Sequence, residues 1–212
     1  MISLLRNAAK EALQQILCRH HFYWRMPGDK KRAVCLTFDD GPNPEFTPPL
    51  LAMLKEADVH ATFFVVGERV ERYPALAAKI VEHGHSIGGH TCHHKLMTDM
   101  TCDELKADLL KTRSVIKQVT GVDTLLFRPP KGIFSFDKLR VVAGEGYRVV
   151  HWSKTYSDYK KDGADALCRR MKANMPAPGD IVLLHDNNPY TLESLARMIP
   201  LWQKVNVRFA AF

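Results

Sequence analysis

From Arg32 onward the chain alternates short β-rich apolar runs with helical stretches, and this alternation narrows the possible folds more than any other feature. Candidate strands fall at 33–38, 61–66, 85–88, 124–127, 147–151, 180–184 and 206–210. Helical segments fall between them at 48–57, 68–83, 102–119, 136–144, 163–174 and 191–203. Thr101, ahead of Asp103 and Glu104, supplies a capping signal for the third of these helices. Strands joined by helical crossovers pair in parallel, because a tight turn cannot connect two parallel neighbours. The pattern therefore predicts an α/β fold, either a small barrel or an open doubly wound sheet. No repeat, low-complexity tract or linker divides this region. The expected organisation is an N-terminal segment over 1–30 and a single domain over 31–212.

The same alternation locates the unusual polar residues. Asp39-Asp40-Gly41, His90 to His94, Arg128-Pro129-Pro130 and His185-Asp186 each sit at the C-terminal end of a candidate strand. In parallel α/β folds the loops at that rim converge on the active site. His90 and His94 lie four apart, a spacing that brings two imidazoles onto one side of a helical turn. A carboxylate from another strand end would complete a three-ligand metal site with open positions. Asp39 and Asp40 repel one another unless a cation neutralises one of them. Two adjacent carboxylates suit a division of labour in which one binds metal and the other accepts a proton.

Composition excludes several classes. With 46% apolar and 25% charged residues, the chain reads as an ordinary globular protein, and no apolar run approaches the roughly 18 residues of a spanning helix. The net charge is +7, but residues 1–32 hold seven basic side chains against Glu11 and Asp29, so the remainder is nearly neutral. A fold that tracks nucleic-acid phosphates would spread basic charge over one face, so no nucleic-acid partner is expected. The 5 cysteines are scattered without a CxxC pair, which fits a reducing compartment and no disulfide framework. Residues 1–19 lack the features of a secretory signal and instead repeat apolar residues at helical spacing (Ile2, Leu5, Ala9, Ala12, Leu13, Ile16). The plain reading is a helix packed on the domain's own surface. The alternative is a peripheral contact with a membrane through residues 1–25, where His20 to Arg25 form an aromatic-basic cluster. The expected location is the cytoplasm or the cytoplasmic face of the membrane.

Four motifs occur in order: Thr37–Gly41 (TFDDG), His90-Thr91 with His94 (HTxxH), Arg128–Gly132 (RPPKG) and Leu183–Asp186 (LLHD). Together they resemble the polysaccharide deacetylases of the NodB-homology type, carbohydrate esterase family 4, over residues from about 31 to 210. The resemblance implies a distorted (β/α)7 barrel that hydrolyses the N-acetyl group of an N-acetylhexosamine, N-acetylglucosamine-like, in a glycan. By the family pattern Asp40, His90 and His94 would bind a divalent metal. Zinc suits such a site, and cobalt or nickel would also fit. Asp39 would be the general base and His185 the general acid. Arg128 would hold Asp39 ionised and oriented, and Asp158 would tune His185. The backbone N–H of Lys131 would face the oxyanion, and Pro130, Lys131, Tyr159 and Leu183 would line the substrate groove.

The chain departs from the family pattern at Gly89, Lys131, Thr155 and Tyr159, positions expected to bear on substrate choice. Two other readings stand beside the deacetylase: a hydrolase of another amide or imide on the same fold, and a catalytically silent glycan-binding relative.

Overall fold

The computed structural model describes residues 21–212. The helix expected over the first residues lies outside the described part.

Eight strands form one sheet: β1 (Phe22–Tyr23), β2 (Cys35–Asp39), β3 (Thr62–Val65), β4 (Ser86–Gly89), β5 (Leu126–Phe127), β6 (Arg148–Val150), β7 (Lys154–Thr155) and β8 (Ile181–His185). Seven α-helices accompany them among the described residues: α1 (Thr47–Glu56), α2 (Gly67–Arg72), α3 (Pro74–Glu82), α4 (Cys102–Thr120), α5 (Phe136–Gly144), α6 (Ala164–Ala173) and α7 (Pro189–Lys204). The strand order is β1-β6-β5-β4-β3-β2-β8-β7, and every pairing is parallel. β6 and β7 stand near opposite ends of that order, yet only residues 151–153 separate them. So short a connection forces the sheet to curl until its ends approach one another, which gives the expected distorted barrel as a curled parallel sheet with no pairing between its ends among the described residues.

Six of the seven candidate strands are present, shifted by a residue or two. The exception is 206–210, which makes one isolated bridge, Val34 to Phe209. β2 already pairs with β3 and β8, so neither of its edges is left for this segment. It runs on to place Ala210 and Phe212 against the barrel interior. The helix expected over 68–83 is two helices, because Pro74 lacks an N–H and Tyr73 leaves the helical region with φ −129° and ψ 57°. β1 and β7 have two residues each, too short for any periodic signal. Residues 22–30, assigned by sequence to the N-terminal segment, contribute β1 and most of a 3-10 turn over Gly28–Arg32. Phe22 and Met26 are buried, and Arg25 pairs with Asp180 at 2.9 Å, so these residues pack on the barrel.

The period of two along each strand separates the two faces of the sheet. Leu36, Phe38, Phe63, Val65, Val182 and Leu184 face outward, in one cluster with Leu50, Leu54 and Trp202 from the helices. Cys35, Phe64, Val150 and Ile181 cluster with no helical residue and therefore fill the inside of the curl. On β2 that inner row continues from Cys35 through Thr37 to Asp39, and on β8 from Ile181 through Leu183 to His185. The register aligns the two rows residue for residue, with Asp39 opposite His185 at the C-terminal rim. The interior thus changes from apolar at its base to ionisable at its mouth.

α4 buttresses this rim and carries the expected cap. The Thr101 hydroxyl accepts from the Glu104 N–H while the Glu104 carboxylate accepts from the Thr101 N–H, and Gly121 closes the helix with φ 76°. Thr101→Ala should cost about 1 kcal/mol. A lowered urea midpoint at unchanged slope would show it.

Candidate active site

Arg128 follows β5, and its side chain is wholly buried under the rim. Its Nε donates to the Val150 carbonyl at 2.8 Å and its Nη2 to the His151 carbonyl at 2.9 Å. Nη1 donates to Thr37 Oγ1 at 2.6 Å and to Asp39 Oδ1 at 2.7 Å. The guanidinium lies 4.2 Å from the centre of the Phe64 ring. A lysine could not make these contacts, since only a planar fork reaches several acceptors at once. Asp39 is 3% exposed, and its Oδ2 has no hydrogen-bond partner among the described residues. One oxygen of Asp39 is held and the other remains available.

Asp40 adopts φ 77°, and this left-handed turn sends its carboxylate away from Asp39 toward two imidazoles. Its Oδ1 lies 3.6 Å from His90 Nε2 and 3.2 Å from His94 Nε2. One ligand atom from each of Asp40, His90 and His94 falls within 4.8 Å of the others, the one such group among the described residues. The two histidines are not on a helical turn, contrary to the expectation from their spacing. They sit on a loop after β4 in which Thr91 (φ 61°) and His94 (φ 54°) are left-handed. That loop is pinned by the Cys92 N–H, which donates to both oxygens of Asp108 on α4 at 3.0 and 3.1 Å.

His90 Nδ1 lies 2.8 Å from the Arg128 carbonyl. A carbonyl only accepts, so Nδ1 carries the proton and the Nε2 lone pair faces Asp40. Burial also disfavours the imidazolium of His90. For Asp40, burial alone would raise the pKa. The His94 hydrogen bond, with the charged His185 nearby, outweighs it and holds the carboxyl well below the usual range. A neutral imidazole beside an ionised carboxylate is the donor set that a borderline divalent ion takes.

His185 ends β8, and its Nδ1 lies 2.9 Å from Asp158 Oδ1. Asp158 Oδ2 accepts from the His185 N–H at 2.8 Å and from Thr191 Oγ1 at 2.9 Å, and Asn188 Nδ2 donates to the Asp158 carbonyl at 2.8 Å. Burial opposes the charged imidazole, but the Asp158 contact and the negative charges of Asp158, Asp39 and Asp40 prevail and push its pKa up to about 9.

Of the groove residues, Pro130 is buried, and Lys131 is exposed with φ 56°. The Tyr159 ring is 60% exposed and stands edge-on to His185 with centroids 6.4 Å apart. Leu183 lies on the inner face two residues below His185. At Gly89 a β-carbon would meet Thr112 Cγ2 at 3.1 Å, so Thr112 fills the space of a side chain there. Thr155 is exposed and uses its hydroxyl to accept from the Ser157 N–H at 3.2 Å.

The roles of four contributors were not evident from sequence: Thr37, which opens the first motif, Asp108, Asn187 and Thr191. Each acts by a hydrogen bond across a large sequence separation, as in Asn187 Nδ2 donating to Asp40 Oδ2 at 2.9 Å. A signal did exist for the neighbour Asn188, which precedes Pro189 as the cap of α7.

A family model described as polysaccharide deacetylase matches residues 26–150, more than half of the chain. The chain belongs to the polysaccharide deacetylase family. With that family it stands among the hydrolases that remove N-acetyl groups from glycans. It is 34% identical over 191 residues to a peptidoglycan-N-acetylglucosamine deacetylase of Bacillus cereus, with 88% of each chain covered. It is 35% identical over 182 residues to a chitooligosaccharide deacetylase of Sinorhizobium fredii, covering 79% of this chain and 84% of that one. A crystal structure of a peptidoglycan N-acetylglucosamine deacetylase superposes with a TM-score of 0.85 at 30% identity, covering 92% of both chains.

Two outcomes follow for this deacetylase. Arg128→Met leaves Asp39 buried without its partner and should cost about 3–5 kcal/mol in chemical denaturation, part of it recovered when Asp39→Leu is added. His185 should titrate near pH 9 by NMR and at lower pH in Asp158→Asn. Because folding raises this pKa from 6.5, the pair's contribution to stability is complete below pH 6.5 and is lost as pH rises through 9.

Proposed function

We propose that this deacetylase is metal-dependent and removes the acetyl group from an N-acetylglucosamine-like residue of a glycan, releasing acetate and a free amine. The observation that carries the reading is the convergence of Asp40, His90 and His94 within 4.8 Å, beside the register pair Asp39 and His185. Asp40, His90 and His94 would hold the divalent ion, and zinc suits their mixed oxygen and nitrogen donors. Such an ion acts as a Lewis acid toward the acetyl carbonyl and the attacking water.

The chain's own groups account for the proton movements. Asp39 Oδ2 accepts the proton that the water loses on attacking the carbonyl carbon, while Arg128 keeps Oδ1 occupied and the carboxylate aimed. The C–N bond then breaks, and the leaving nitrogen takes a proton from His185, whose raised pKa keeps it charged at neutral pH. The Lys131 N–H is a backbone donor for the developing oxyanion, so the lysine side chain need not take part. Leu183 offers an apolar surface to the acetyl methyl group, and Tyr159 a ring to the sugar. The names of the relatives suggest two substrates, peptidoglycan for the Bacillus cereus protein and chitooligosaccharides for that of Sinorhizobium fredii.

Acetate release from N-acetylglucosamine oligomers and from peptidoglycan, with and without a chelator, tests reaction, metal and substrate class together. Loss on chelation and recovery with Zn2+ are expected, and full turnover in the metal-free protein would overturn the reading. Asp39→Asn should keep bound metal and lose turnover, whereas Asp40→Asn and His94→Ala should lose metal from a folded domain. Equal metal loss in both aspartate variants would show that their roles are divided wrongly. His185→Ala should reduce kcat by about 10²–10⁴-fold. In wild type kcat/KM should fall as pH rises through the His185 pKa, and Asp158→Asn should bring that fall to lower pH.

A further inference from the structure

The Asp40 carboxylate is divided between two neighbours. Oδ1 faces His90 Nε2 and His94 Nε2, at 3.6 and 3.2 Å, while Oδ2 accepts from Asn187 Nδ2 at 2.9 Å. An ionised carboxylate has no proton to give, so the amide must present its NH2 group. Asn187 lies on a short connector held at both ends. Before it, His185 ends β8 and Asp186 is fully buried, with Oδ2 accepting from Thr47 Oγ1 at 2.6 Å. After it, Asn188 is buried, caps α7 by accepting from the Tyr190 N–H, and donates to the Asp158 carbonyl. The connector therefore delivers the Asn187 amide to Asp40 with little freedom to lose.

We infer that Asn187 is a positioning residue for the metal centre, which fixes Asp40 as a one-oxygen ligand by occupying its second oxygen. The inference rests on the assignment of Asp40, His90 and His94 as the metal site. Two consequences follow from the geometry. Rotation of the carboxylate is blocked, so Oδ1 is already directed at the imidazole pair before an ion arrives. A second ligand contact through Oδ2 is also prevented, which preserves an open position on the ion for substrate and water. A neutral amide achieves this without adding charge, whereas a lysine or arginine there would compete with the ion for Asp40.

The test uses the whole chain in apo form, titrated with Zn2+ against a competing chelator and separately with Co2+ followed by its visible spectrum. Asn187→Ala should weaken Zn2+ binding by about 10–100-fold, the scale usual for partners that orient a metal ligand. Its Co2+ spectrum should differ from wild type because the second oxygen is released to the ion. The thermal midpoint of the apo variant should stay at the wild-type value, which a merely structural role would lower. Asn187→Leu keeps the branched shape without the donor and should behave like Asn187→Ala, so the inference does not depend on one variant folding. Zn2+ affinity within twofold of wild type in either folded variant, with an unchanged Co2+ spectrum, would overturn it. Failure of the wild-type protein to bind Zn2+ would instead remove the metal-site assignment itself, and this inference with it.

Discussion

The buried ion pair of Arg128 with Asp39 is the contact on which the rest of the rim depends. An arginine with no exposed surface is tolerated only where its donors are satisfied, and here they reach two strands: Thr37 and Asp39 on β2, Val150 on β6 and His151 just beyond it. The Arg128 carbonyl in turn fixes the tautomer of His90. One residue thereby ties barrel closure, the orientation of the base candidate and the donor atom of a metal-ligand candidate to a single position. Replacing such a pair with hydrophobic residues need not destabilise a protein, so its presence here is better understood through the chemistry at the rim than through stability.

Asp39 and Asp40 illustrate how adjacent residues of one type acquire different work. Asp39 is the last residue of β2 and continues the inward row of Cys35 and Thr37, which directs it at Arg128. Asp40 turns with a positive φ and meets two imidazoles. Opposing partners remove the repulsion that two parallel carboxylates would suffer. Strain of the same kind recurs at Thr91, His94 and Lys131, all non-glycine residues in the left-handed region. Such conformations cost energy and persist only where surrounding contacts hold them, which suits a site that must be formed before substrate arrives.

Much of the architecture was legible because periodicity reports which face of an element is buried. Cys102–Thr120 carries its cap, its apolar stripe and its terminal glycine in the sequence itself. The departures have local causes. Pro74 divided one expected helix, β1 and β7 are too short to show alternation, and 206–210 reaches the start of β2, whose two edges are already paired. The spacing of His90 and His94 was informative for the wrong geometric reason. Four residues apart implies a helical turn only if the backbone is helical, and a loop with two left-handed residues achieves the same convergence.

What the sequence by itself determined is the order of elements, the parallel sheet they imply and the identity of the groups at the strand ends, since these depend on local pattern and on side-chain chemistry. What only the tertiary structure decided is which atom of each group is occupied and which is free. Asn187 against Asp40 Oδ2, Thr112 in the space beside Gly89, and Thr191 on Asp158 are each contacts between residues far apart in the chain. No local pattern encodes them, because a hydrogen bond across the barrel mouth depends on strand register and on how far the sheet has curled.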